Sequence, residues 1–175
     1  TRNGIRAVRV DEIAQRLGIS KRTLYEMFAD KNDLISACLD DLARRQRQRI
    51  AASRRRRSGN PLQRTLRLAN DYIDSLYTVD HSFLADIRRK VLFAEQYDEH
   101  REFWRKELSL NLEECRGGGL LLSEIDTAAL AEQLMSTLFE LRLNRTTREE
   151  LYLLCRTILR GAATQQGIDL IDRKP

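Results

Sequence analysis

Gly18 and Ser20 stand two residues apart between two short helical patterns, and this arrangement restricts the fold more than any other feature of the chain. In "DEIAQRL" (11–17), Ile13, Ala14 and Leu17 recur at the spacings of one helix face. A glycine after the last periodic residue is a common helix stop, because it enters the left-handed conformation without a steric cost. Ile19 is apolar in the turn and is expected to plug the angle between two helices. Ser20 is a good N-cap for a second helix starting at Lys21. On that helix Leu24 and Phe28 lie four apart and should face the core with Ile19. Lys21, Arg22 and Tyr25 then point elsewhere, with Thr23 at the flank. Asp30 restarts a third helix, with Asp33 placed like the acid of a capping box. Leu34, Ile35, Cys38, Leu39 and Leu42 form its apolar stripe.

Charge says what the polar side of this stretch faces. Thr1 to Ser58 holds fifteen Lys and Arg against seven Asp and Glu, a net of +8, while the remainder nets −3. A basic N-terminal third on a mildly acidic body suits a polyanion partner, and on charge alone a plain solvated surface fits equally well. The three cysteines, Cys38, Cys115 and Cys155, have neither metal-ligand nor redox-pair spacing, so reduced thiols in a cytoplasmic protein are expected. No apolar run approaches the roughly 20 residues of a membrane helix, and no signal peptide is evident.

With two prolines and eight glycines in 175 residues, the rest of the chain reads as helix, and the expected fold class is all-α. "SRRRRSGNP" (53–61) is a breaker, and helices are expected over about 62–78, 81–97, 99–115, 126–143 and 147–166. Asp126 and Thr147 are candidate caps. The run Arg54 to Arg57 reads as a solvated helix end, since a helix from Lys31 to Arg54 is about 35 Å long and carries it away from whatever the helix start touches. His81 reads as a helix start and His100 as an exposed side chain. Gly117–Gly119 has no preceding strand and no following Gly-Lys-Ser/Thr, so it is a hinge or loop and not a phosphate cradle. No nucleophile, acid–base pair or metal cluster stands out, so neither an enzyme, a metal site nor a cofactor is expected.

The detail of the first motif is specific. "VRVDEIAQRLGISKRTLYEMFADKNDLI" resembles the DNA-binding helix-turn-helix domain of the TetR family of bacterial transcriptional regulators, through Val10, Ile13, Ala14, Gly18, Ser20, Thr23, Leu24, Tyr25, Phe28, Lys31 and Leu34, with Gly4 also fitting. The resemblance covers about residues 4 to 42 and divides the chain into a DNA-binding domain (1–45) and a helical regulatory and dimerisation domain (46–175). It implies that Lys21, Arg22 and Thr23 meet base edges and phosphates in the major groove, that Tyr25 bonds a phosphate, and that Lys31 offers its N–H and charge to another. Two departures stand out. Arg9 occupies a position where the family has a capping Thr or Ser; it cannot cap through an oxygen but can reach a phosphate. The family also has a helix before Gly4 that is absent from this sequence, where omission is expected, and without which one side of Ile13, Leu17 and Leu24 should be wet.

The same resemblance implies a double-stranded DNA partner, a second copy of the chain and a small-molecule effector. Tyr72, Phe93, Tyr97 and Trp104 are the candidate ligand contacts, against a plain reading as core aromatics. The wide apolar stripes of the last two long helices exceed one contact face, and Leu130, Leu134, Leu138, Leu151 and Ile158 are the candidate dimer contacts. The expected function is a ligand-responsive repressor binding a pseudo-palindromic operator as a homodimer. The alternative is a DNA-bound adaptor of the same fold that holds a protein partner without a small ligand.

Overall fold

The computed structural model describes residues 4–56 and 59–172, and among them it is built of helices, with one isolated bridge between Leu121 and Ala163. A 3-10 turn, Gly4–Ala7, leads into α1 (Val10–Leu17), α2 (Lys21–Met27) and the long α3 (Lys31–Arg56). Gly18 closes α1 in the left-handed region, at φ 68°, and the Ile19 N–H returns to the Ala14 carbonyl. Ser20 caps α2 by accepting the Thr23 N–H at 3.0 Å. Asp30 accepts the N–H groups of Asn32 and Asp33 at the start of α3, and Asp33 accepts that of Ala29. Each cap satisfies donors that a helix start otherwise leaves unpaired. Val10, Leu24 and Leu34 form a small core with Ile13, Ile19 and Phe28 against it. Leu17 and Met27 are 60% and 65% exposed, so the wet side expected at Leu17 is present, whereas Leu24 is buried.

The helix α3 crosses the expected domain boundary at residue 45 without a break. The second region packs α4 (Pro61–Leu76), α5 (His81–Arg89), α6 (Ala94–Gly117), α7 (Thr127–Leu143), α8 (Arg148–Gly161) and α9 (Gln165–Asp172) around one large core. On α6, Trp104, Leu108, Leu112 and Cys115 recur at spacings of three and four and are fully buried. Each such aliphatic side chain contributes about 2 kcal/mol by leaving water. Asp126 caps α7, and Thr147 with Glu150 forms a complete capping box on α8. Arg142 is buried on α7. Its guanidinium donates to the carbonyls of Leu76, the last residue of α4, and Val79 just after it, and stacks 4.3 Å over the Tyr77 ring.

Three expectations are corrected. The break expected near residue 98 lies instead at Lys90–Phe93, where Lys90 is extended and a 3-10 turn drops Phe93 into a core; "QYDEHRE" contains no breaker, so α6 runs through it. The last helix is two helices, because Ala163 pairs with Leu121 and Thr164 restarts the chain as α9, accepting the Gly167 N–H. His100 is half-buried instead of exposed. Of the cationic run, Arg54 is tied to Glu107 at 3.2 Å. Arg57 and Ser58 lie outside the described residues, as do the side chains of Arg55 and Arg56.

No helix among the described residues is long and apolar enough to cross a membrane.

Candidate nucleic-acid interface and internal cavity

Leu24 anchors α2 from behind, and the opposite side is left to polar groups. Lys21, Arg22, Thr23 and Tyr25 are all exposed on it. The Thr23 hydroxyl lies 2.9 Å from that of Ser20, so the flank of the helix is fixed by its cap. Arg22 extends along the helix to Glu26 at 3.1 Å. Lys21 pairs with Asp11 of α1 at 2.9 Å, and that hydrogen bond holds its ammonium above the ordinary lysine range. Arg9 stands at the N-cap of α1 with no side-chain cap bond and reaches Glu12 at 3.8 Å. Lys31 is the first residue of α3 and is half-buried. Lys21, Arg22, Thr23 and Tyr25 thus share one short capped helix, with Arg9 and Lys31 on the elements that flank it.

A cavity of about 630 Å³ lies among α3, α4, α5, α6 and α7. Tyr72 and Tyr97 are in its wall. Phe93 and Trp104 are not. Phe93 is fully buried with Ile5, Ile35 and Ile87, and Trp104 is fully buried edge-on to Tyr72 in the large core. The wall also holds polar residues that aromatic content does not point to, among them Gln46, Arg47, Gln96, His100 and Arg101. Their signal was present on α6. Tyr97, His100, Arg101 and Trp104 continue the spacing of the buried stripe into polar side chains. The stripe turns polar and half-exposed where it meets the cavity. Burial, and then the charge of Arg47, pushes His100 down to about 4, so its ring is neutral at neutral pH.

The cavity and the helix-turn-helix share a wall. Ile5, Ile35, Ile87 and Phe93 form a second small core, with Leu39 and Tyr97 against it. Leu39, Ile87 and Tyr97 also line the cavity. Gly4 has a φ of 52°, and a Cβ there would stand 2.3 Å from the Asp86 carboxylate, so only glycine admits this approach. That carboxylate accepts the Ile5 N–H at 2.9 Å, which fastens α5 to the segment leading into α1.

Of the candidate dimer contacts, Leu134, Leu138 and Leu151 are buried in the protomer's own core. The helix α7 packs against α4, α5, α6 and α8, so both of its apolar rows turn inward at these positions. Leu130 and Ile158 are half-buried, as is Leu154, one turn before Ile158 on α8.

Residues 1–38 match the family described as bacterial regulatory proteins, tetR family. No curated protein matches the chain. Among solved structures, a TetR transcription regulator from Haloarcula marismortui is similar at 18% identity and a TM-score of 0.74, covering 90% of this chain and 88% of that one. A protein described as a transcriptional regulator from Saccharomonospora viridis, in complex with choline, is similar at 17% identity and 0.78, covering 93% and 90%. The fatty acid degradation regulator FadR from Bacillus halodurans is similar at 19% identity and 0.67, covering 92% and 86%. The chain therefore has the TetR-family regulator fold, with an N-terminal helix-turn-helix and a C-terminal helical domain.

Proposed function

We propose that this chain, carrying the TetR-family fold and an N-terminal segment matched to that family, is a homodimeric, cytoplasmic, non-catalytic repressor that releases its DNA operator on binding a small molecule. The observation that carries the reading is the cluster of Lys21, Arg22, Thr23 and Tyr25 on the exposed side of a capped helix held by Leu24. Two such helices enter successive major grooves of a pseudo-palindrome, about 34–36 Å apart. Arg9 and Lys31 take phosphates beside them. The second copy packs on the outward edge of α7 and α8, through Leu130, Leu154 and Ile158. There the Gly161 backbone has open space before it and permits close approach.

The cavity supports an effector over a protein partner, since it is walled by five helices and reaches the reading head through a shared core. The regulator from Saccharomonospora viridis that is in complex with choline has this fold, which agrees with a small ligand. A ligand that fits a state with displaced α3 and α5 better than the DNA-spaced state weakens operator binding by that difference in affinity. The test is operator affinity in Lys21→Ala and Tyr25→Ala. Each should weaken binding by about 1–3 kcal/mol, and loss of a phosphate contact should also flatten the salt dependence. Unchanged affinity in both variants would remove these residues from the interface.

A further inference from the structure

The cavity wall has a chemical bias: many of its hydrogen-bond donors already have protein acceptors. Tyr72 donates to the Met135 carbonyl at 3.3 Å, Ser75 to the Tyr72 carbonyl at 2.6 Å, Thr78 to the Asp74 carbonyl at 3.4 Å, and Ser136 to Glu132 at 3.1 Å. Each of the three guanidiniums is already ion-paired, Arg47 on Glu99 at 3.3 Å, Arg88 on Glu140 and Arg101 on Glu132. Gln96 gives its amide nitrogen to Ser36 at 2.6 Å. Acceptors remain. The side-chain oxygens of Gln46 and Gln96 are buried with no partner among the described residues. Asp40 and Glu95, exposed members of the wall, carry no ion pair among the described residues. The wall holds four carboxylates, Asp40, Glu95, Glu99 and Glu140, against three arginines, and His100 adds no charge at neutral pH. Leu39, Leu84, Ile87, Met135 and Phe139 supply apolar surface.

We infer that the cavity takes a protonated organic amine with an apolar body, which gives its N–H groups to this acceptor-rich wall. The inference rests on the cavity being the effector site. An ammonium supplies donors and no acceptor, which suits the carboxylates of Asp40 and Glu95. The rings of Tyr72 and Tyr97 add aromatic surface that attracts a cation, as Phe139 already does for Arg88. An organic acid brings the opposite set: it needs a cation already paired here, and it adds negative charge to an acidic excess.

A matched series tests this on the full chain: phenylbutylamine, phenylbutanol and phenylbutyrate, titrated by calorimetry at neutral pH. The amine should bind about tenfold tighter than the acid, and the paired variant Asp40→Asn with Glu95→Gln should cut that preference to about threefold or less. The proposal is overturned if the acid binds as tightly as the amine, if none of the three binds, or if the preference is unchanged in the variant. A preference for the acid leaves the cavity standing as the effector site with the ligand class wrong. Amine binding that leaves operator affinity unchanged supports the ligand class and sinks the effector response instead.

Discussion

Lys21 is held by Asp11, and on the proposed function this pair sets how readily α2 meets a phosphate. Both side chains are exposed, so the pair contributes little to stability. For DNA it matters more, since Asp11 competes with phosphate for the ammonium and adds a negative charge at the interface. Asp11→Asn should therefore tighten operator binding by about two- to tenfold, measured by anisotropy at moderate salt. An unchanged or weakened affinity would mean that Lys21 does not leave Asp11 on binding.

His100 gives a second residue-scale prediction. Its pKa in the fold, about 4, lies below the ordinary histidine value of 6.5, because burial and Arg47 disfavour the charged ring. The unfolded chain then binds more protons between those values, so stability is fully present above the ordinary value and falls as pH drops through this window. By pH 5 the loss is about 1–2 kcal/mol, allowing for the half-exposed ring. Denaturant unfolding of His100→Gln between neutral pH and pH 5 should show a shallower decline than the parent chain. Parallel declines would place the acid sensitivity in other groups.

At the scale of elements, the join between α5 and the Gly4–Ala7 turn is the feature that links cavity to reading head. The Asp86 carboxylate occupies the place of a side chain at Gly4 and takes the Ile5 N–H. Asp86→Ala should speed amide hydrogen exchange at Ile5 by about tenfold, the worth of one lost hydrogen bond, while leaving the α6 core protected. Unaltered exchange at Ile5 would show that the small core of Ile5, Ile35, Ile87 and Phe93 holds the join alone.

The elements also show what a single sequence displays and hides. Gly18, Ser20, Asp126 and Thr147 were legible because caps act on their immediate neighbours, and each does so here. The break at Lys90–Phe93 was not, because it is made by Phe93 entering a core formed with Ile5 and Ile35, far away in sequence. The cavity was half legible for a related reason. Tyr72 and Tyr97 reach it, but Trp104 and Phe93 are just as aromatic and pack in cores, and only the tertiary arrangement separates the two fates. Leu134, Leu138 and Leu151 misled in the same way. A helix packed by four neighbours needs a wide apolar surface before any partner arrives.

For the whole molecule, the exposed side of α2, the cavity and the outward edge of α7 and α8 belong to one continuous framework, because α3 runs unbroken from the helix-turn-helix into the C-terminal helices. On the proposed function, a protomer with one reading helix takes one half-site, and two protomers joined across α7 and α8 take a repeat whose spacing reports their geometry. The most direct test is selection of bound DNA from a random pool with the full-length protein. The account predicts enrichment of an inverted repeat whose half-sites are centred about 10–10.5 base pairs apart, or a multiple of that. Binding without an enriched repeat would contradict it, and would make the basic N-terminal third a general DNA anchor.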